Sequence, residues 1–443
     1  MKRILMGILW LLAPWVAGGE TTQPNILLIL SDDAGYADFS CYSDRGLKTP
    51  NIDRLAENGV RFTQGYVSAS VCSPSRAGLL TGRYQQRFGH QRNIPEMGAV
   101  PSNDPDRMGL EIHQRTIADQ LRNAGYRTAV IGKWHLGEAR QFHPNQRGFD
   151  YFCGMLGGAR SYFLDSPVRN EAQRMMRNAD YIEASGYLTE FLTEEALRFM
   201  TEESDKPFFL YLSYTAPHAP MEPKPEDEAQ FPEIKGEKRR KLAGMMLSLD
   251  REVGRILDML RETGLEKNTL VIFLNDNGGP TAQNGSNNWP LRGAKGTEFE
   301  GGDRVAFMMQ YKGVLPEGAV YDKPVISLDI MPTAVAVAGA ELPANQECNG
   351  ANLIPYVKGE QEGAPHQKLF WNRFRDFAAI DGDWKLLQTP SKAMLFNLKD
   401  DISEMHDLSE QYPERVQAMK QSIAEWQAAN AEPLWDTAWT VGK

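Results

Sequence analysis

Four apolar runs in this chain each end abruptly in residues able to do chemistry. Asn25 to Leu30 ends at Ser31-Asp32-Asp33, and Arg127 to Ile131 ends at Gly132-Lys133-Trp134-His135. Phe208 to Tyr214 ends at Thr215-Ala216-Pro217-His218, and Leu270 to Leu274 ends at Asn275-Asp276-Asn277. The runs are nearly continuous rather than alternating, which suits strands covered on both faces of a largely parallel sheet. Helical patterns fall between them. Segments 51–59 and 116–125 each close on a glycine, and 238–263 carries Leu242, Met245, Met246, Leu249, Val253, Ile256, Leu257 and Leu260 on one face. Strands alternating with helices give an α/β sandwich. Ligands in such folds bind beyond the carboxyl ends of the strands, so the four polar endings are expected to meet at one edge.

After about residue 340 the pattern changes to short alternating runs at 369–371, 377–380, 384–387 and 394–397, followed by an amphipathic stretch over 413–429. This predicts a small C-terminal α+β subdomain with an antiparallel sheet. The expected division is 1–19 leader, 20–345 main domain and 346–443 subdomain. Segment 216–235, rich in Pro and Glu, is expected to be a surface loop leading into the long helix.

A 443-residue chain can bury a large core, and 42% hydrophobic with 24% charged residues is ordinary for a globular enzyme. The formal charge of −10 argues against broad capture of nucleic acid, so an anionic ligand needs a local basic cluster. Lys2 and Arg3 precede an apolar run from Ile4 to Ala17 and then Gly18-Gly19. The run is too short to span a bilayer comfortably and reads as a signal peptide, which predicts an exported protein, periplasmic or secreted, without stable membrane insertion. If Cys72 is modified, Cys41, Cys153 and Cys348 allow at most one disulfide, in a pairing the sequence leaves open.

Asp32, Asp33, Asp276 and Asn277 form an all-oxygen donor set, which favours Ca²⁺, with Mg²⁺ second, over zinc or copper. Arg76, Lys133, His135, His218 and Lys295 are expected to surround an anionic group, with glycines around Lys295 allowing close backbone approach. Cys72 precedes Ser73-Pro74, a pairing that predicts a helix start with Ser73 as N-cap and Arg76 one turn on. A thiol there is activated by the helix end and a nearby cation. A thiolate is nonetheless a poor partner for a hard cation.

Cys72-Ser-Pro-Ser-Arg76, followed by Leu80-Thr-Gly-Arg83, resembles the maturation motif of type I sulfatases. Asn25 to Gly35, Thr49 to Ala56, Gly132 to Gly137, Arg147 to Asp150, Ala216 to Pro220, Asp276 to Gly278 and Arg292 to Arg304 match that family in order. The resemblance covers about 22–340. Ala306 departs from it, standing where many relatives have proline, and puts no proposed role in doubt. It implies an alkaline-phosphatase-like fold, a large mixed and mostly parallel sheet in an α/β/α sandwich. It also implies that a maturation enzyme oxidises Cys72 to Cα-formylglycine (3-oxoalanine), whose hydrate joins Asp32, Asp33, Asp276 and Asn277 around Ca²⁺. That change removes the mismatch between thiolate and hard cation.

In the mechanism so implied, a hydroxyl of the hydrate attacks sulfur, and His218 or Lys295, or both, protonate the leaving oxygen. His135 then takes a proton to release sulfate, while Arg76 and Lys133 hold the hydrate and offset charge. The expected activity is sulfate-ester hydrolysis, and export points to a sulfated carbohydrate. The rival readings are a phosphate or phosphonate ester hydrolase of the same superfamily and a non-catalytic binding relative. Tyr84, His90, Arg92, Trp289, Arg292 and Trp371 are candidates for a sugar-binding rim. Which sugar, exo or endo action, and the oligomeric state stay open.

Overall fold

The four apolar runs become four adjacent parallel strands in the middle of one sheet in a computed structural model of the protein, which describes residues 23–95 and 100–437. We label them β1 (Asn25–Ser31), β2 (Arg127–Lys133), β3 (Phe208–Ser213) and β4 (Thr269–Asn275). Their order across the sheet is β4-β1-β3-β2, and every neighbouring pair is parallel. Tyr151–Met155 adds a parallel strand beside β2, and Phe307–Gln310 an antiparallel one beside β4. Short outer strands complete a ten-stranded mixed sheet.

Burial explains why the runs are continuous. Leu27 and Ile29 of β1 face one apolar layer, and Ile26, Leu28 and Leu30 face the other. Each fully buried aliphatic side chain of this size contributes about 1.5–3 kcal/mol, so a polar residue at either parity would be costly. The first layer is closed by α2 (Glu237–Glu262), whose eight predicted apolar residues all reach the core, Met245 and Met246 among them. The second is closed in part by α1 (Cys72–Thr81) through Ala77, Leu79 and Leu80.

Four further strands, β5 (Lys368–Arg373), β6 (Asp376–Asp381), β7 (Trp384–Gln388) and β8 (Ala393–Asn397), form an antiparallel meander. One face is covered by Met419 and Ile423 of α3 (Pro413–Ala428). The other packs Leu369, Trp371, Ala378, Ile380 and Leu387 against Tyr66, Tyr84, Ile326 and Leu328 of the main sheet's surroundings. The expected leader, 1–19, lies outside the described residues. Among the described residues no helix is long and apolar enough to cross a membrane.

Candidate active site

Strand register brings the polar endings level. Ser31 sits opposite Asn275, and Ser213 lies between Leu30 and Gly132 of its two neighbours. Ser31 Oγ donates to Asn275 Oδ1 at 2.8 Å, and the Asn275 side chain then bonds both the N–H and the C=O of Ala34. The turn holding Asp32 and Asp33 is thereby tied to the end of β4. Asp33 takes φ of +66°, an uncommon backbone conformation outside glycine.

Cys72 opens α1, two residues earlier than a Ser73 cap requires. Val71 occupies the cap position without a side-chain bond. The cap comes instead from another loop, where Asn93 Oδ1 accepts the Ser73 N–H at 3.0 Å, and Ser73 Oγ pairs with His90 Nε2 at 2.7 Å. Pro74 is tolerated in the first turn because its missing N–H has no partner to lose there.

Arg76, with no exposed side-chain surface, lies across the floor of the site. Its guanidinium donates to Asp276 Oδ2 at 2.9 and 3.1 Å, to Asp32 Oδ2 at 3.2 Å and to Ser213 Oγ at 2.6 Å. Lys133 Nζ reaches the same Asp32 oxygen at 2.5 Å. Burial alone would raise Asp32, but Lys133, His218, Arg76 and Lys295 together hold its carboxyl well below the usual range. Asp276 goes the other way. Burial, reinforced by the charge of Asp32, pushes it well up despite Arg76.

The upper side of the site carries Lys295 and two histidines. Lys295 Nζ lies 2.6 and 2.8 Å from the Asp33 oxygens and 3.1 Å from Cys72 Sγ. Burial pushes the Cys72 thiol up, yet the Lys133 and Lys295 charges outweigh it and bring it down to about 7. Desolvation lowers His218, but Asp32 and Asp33 raise it more, with Asp33 Oδ2 3.5 Å from Nε2. His135 moves down, from burial first and then the charges of Lys133 and Arg76. One imidazole is thus held toward its charged form and the other toward its neutral form.

Cys72, His135, His218 and Lys295 line one cavity of about 290 Å³. Asn93, Glu138, Arg169, Asn170 and Gln173 line its outer part. Every residue expected at the site therefore converges on this edge of the sheet. The roles of Ser213, Asn93 and Arg169 were not read from the sequence. Ser213 is the one serine inside the apolar run 208–214 and closes its strand, a signal that would have found it; Asn93 and Arg169 lie in loops without a pattern.

The donor set suits a hard divalent cation. Donor atoms of Asp32, Asp33, Cys72 and His218 lie within 4.8 Å of one another. This grouping adds His218 to the expected set, while Asp276 is turned toward Arg76. Asn277 Oδ1 is buried with no hydrogen-bond partner, and its amide nitrogen donates to Asp33 Oδ1 at 2.7 Å. An orphaned buried oxygen beside crowded carboxylates is what a cation would satisfy.

The six candidates for a sugar-binding rim fall into buried and surface positions. Tyr84, His90 and Trp371 are buried: Trp371 Nε1 donates to Val67 O, Tyr84 meets Trp426 edge-on, and His90 meets Trp435 edge-on. Arg92 is paired with Asp436, Arg292 bonds Glu404 O, and Trp289 stacks under Arg45. None of the six lines the cavity. The four cysteines are all free, so the one possible disulfide is absent.

Comparison with known proteins follows the same lines. The sulfatase family model matches residues 24–340. The uncharacterized sulfatase YdeN of Escherichia coli (strain K12) is 30% identical over 79% of this chain and 68% of its own. Arylsulfatase G of Rattus norvegicus is 32% identical, over 94% and 89%. Among solved structures, Ps i-CgsB in complex with k-i-k-neocarrahexaose superposes with a TM-score of 0.89 at 36% identity, covering 95% of this chain and 96% of that one. The PsFucS1 sulfatase from Pseudoalteromonas sp. gives 0.78 at 28% identity, covering 93% and 92%. With a matching family model over most of its length and named sulfatases among its relatives and structural neighbours, the chain belongs to the sulfatase family of the alkaline-phosphatase-like superfamily and is a sulfuric ester hydrolase.

Proposed function

We propose that the protein removes sulfate from a sulfated carbohydrate, with residue 72 working as formylglycine and Ca²⁺ held by Asp32, Asp33, Asp276 and Asn277. The observation that carries this is the meeting of Cys72, Lys295, His135 and His218 in one cavity above a buried acid set. Conversion of the thiol by a maturation enzyme would supply an oxygen nucleophile suited to sulfur. The cation would supply positive charge against the sulfate oxygens and relieve the crowding that pushes Asp276 up.

The chain's own residues do the rest. Arg76 and Lys133 fix Asp32 from below, so the acid set is oriented before substrate arrives. Lys295 faces the side chain of residue 72 and is itself held protonated by Asp33 against the cost of burial. It and His218 are the proton donors available to a leaving oxygen. His135, held neutral, is the acceptor.

The sugar reading rests on the outer wall. Asn93, Asn170, Gln173, Glu138 and Arg169 offer hydrogen-bonding groups suited to hydroxyls, and 290 Å³ is at the small end of ligand cavities. The likeness to Ps i-CgsB, solved with a neocarrahexaose, points the same way. Export through a 1–19 leader and the division at 345/346 belong to the same proposal.

The test joins two measurements on one preparation: mass spectrometry of the residue-72 peptide, and sulfate release from a panel of sulfated oligosaccharides. Turnover should rise in proportion to the aldehyde fraction and exceed that on matched phosphate and phosphonate esters. Fully converted protein that prefers the phosphorus esters, or unconverted protein with full activity, would overturn the proposal.

A further inference from the structure

Lys295 is carried by loop 292–304, which ends in a short helical turn, Glu300–Asp303. Gly293 and Gly296 flank the lysine at φ of +86° and +81°, a left-handed backbone that offers little stiffness of its own. Thr297 bonds Ala294 and the Gly301 N–H bonds Arg292 O within the loop, and further bonds reach it from outside. On the inner side, the Gly296 N–H donates to Ser70 O at 2.8 Å, two residues before Cys72, and Ser70 Oγ donates to Glu298 at 3.1 Å.

On the outer side, the bonds come from the C-terminal subdomain. Arg373, at the end of β5, donates through its guanidinium to the carbonyl of Gly296. The contact is close, since a Cβ on Gly296 would meet that guanidinium at 2.9 Å. Glu404 holds both ends of the loop: its carboxylate accepts the Glu300 N–H at 2.7 Å, and its carbonyl accepts from Arg292 at 2.7 Å. Lys385 of β7, wholly buried, lies 2.8 Å from Glu300 and 3.3 Å from Glu404. Gly296, next to Lys295, is thus held through its N–H by the nucleophile's loop and through its carbonyl by Arg373.

We infer that Arg373 is a positioning residue for Lys295, and that the C-terminal subdomain acts in catalysis by holding this lysine against residue 72. The inference rests on the proposed role of Lys295. Lys385 and Glu404 are too deeply buried to serve as probes, because removing either strands a buried charge. Arg373 is only partly buried and can be changed more safely.

The experiment compares wild type, Arg373→Met, Arg373→Lys, Lys295→Ala and the Lys295→Ala/Arg373→Met pair. Arg373→Met should lower kcat roughly 10- to 100-fold, most for esters with poor leaving groups, with KM nearly constant. Arg373→Lys, which keeps a donor and a charge, should recover part of the loss. The double variant should be no slower than Lys295→Ala alone. Acetylation of Lys295 by acetic anhydride, followed by mass spectrometry, should be faster in Arg373→Met than in wild type. Losses that multiply in the double variant, or an unchanged acetylation rate, would overturn the inference. Wild type without sulfatase activity would instead sink the preceding proposal, and the acetylation arm would still decide this one.

Discussion

The ammonium of Lys295 lies 3.1 Å from the sulfur of Cys72, so the thiol ionises against a fixed positive charge. In protein whose residue 72 is still cysteine, alkylation by iodoacetamide in metal-free buffer should reach half its maximal rate near pH 7. Lys295→Met removes one of the two charges that lower the thiol. The midpoint should move to higher pH, and alkylation at pH 7 should slow. A midpoint equal in both proteins would mean that the lysine charge is not felt by the sulfur.

Arg76 is a matter of stability before it is one of catalysis. It carries a charge with no exposure, matched by two carboxylates with none. Arg76→Met leaves those carboxylates uncompensated in the interior, a loss of about 3–5 kcal/mol. Urea denaturation of unconverted protein measures it, and a loss under about 1 kcal/mol would contradict the pairing described.

Calcium should stabilise the folded chain through Asn277. At about a hundredfold excess over its dissociation constant, a ligand of the native state adds roughly 2.7 kcal/mol. Thermal melts with EDTA and with added Ca²⁺ should therefore differ in wild type. Asn277→Ala, which removes the orphaned oxygen, should shrink that difference. A variant that responds to calcium as wild type does would exclude Asn277 from the site.

His366 gives a pH signature remote from the active site. Its Nε2 lies 2.6 Å from Asp329 Oδ1, whose carboxylate also caps Ile326 and Ala351. Desolvation works against the charged ring, but Asp329 prevails and the pKa is raised above 6.5. A raised histidine contributes stability that is complete below the unfolded value and lost as pH climbs through the folded one. The difference in unfolding free energy between wild type and His366→Asn should thus shrink from pH 6 toward pH 9. A charged hydrogen bond of this kind contributes about 1.5–3 kcal/mol. A difference that grows with pH would reverse the assignment.

The strands that build the site were legible because their two-sided burial leaves a continuous apolar signal, and the edge rule then located Asp32, Lys133, His218 and Asp276. Ser213 is less legible because it lies within the run 208–214, and a lone serine carries no charge or motif. The helix starts two residues before the position Ser73 indicates, because the Ser73 N–H is capped by Asn93 from a loop twenty positions away. Tyr84, His90 and Trp371 looked like a binding rim because aromatic and basic residues read alike whether exposed or packed. Tyr84 and Trp371 are buried where the small sheet meets the main domain, and His90 against Trp435, contacts that nothing local in the sequence encodes. The buried set of Glu300, Lys385 and Glu404 was invisible for the same reason, its members lying 85 and 104 positions apart along the chain.

The strand order β4-β1-β3-β2 also has a consequence in time. Ser31 pairs with Asn275, and Asp33 meets Lys295 across 262 positions. A growing chain of 250 residues holds β1, β2 and β3 but neither Asp276 nor the lysine, so it has three of the four central strands in hand and none of the chemistry complete. The reactive centre is closed by nearly the last strand of the sheet to be synthesised. Half-made or truncated chains therefore carry the nucleophile's motif without a working site around it.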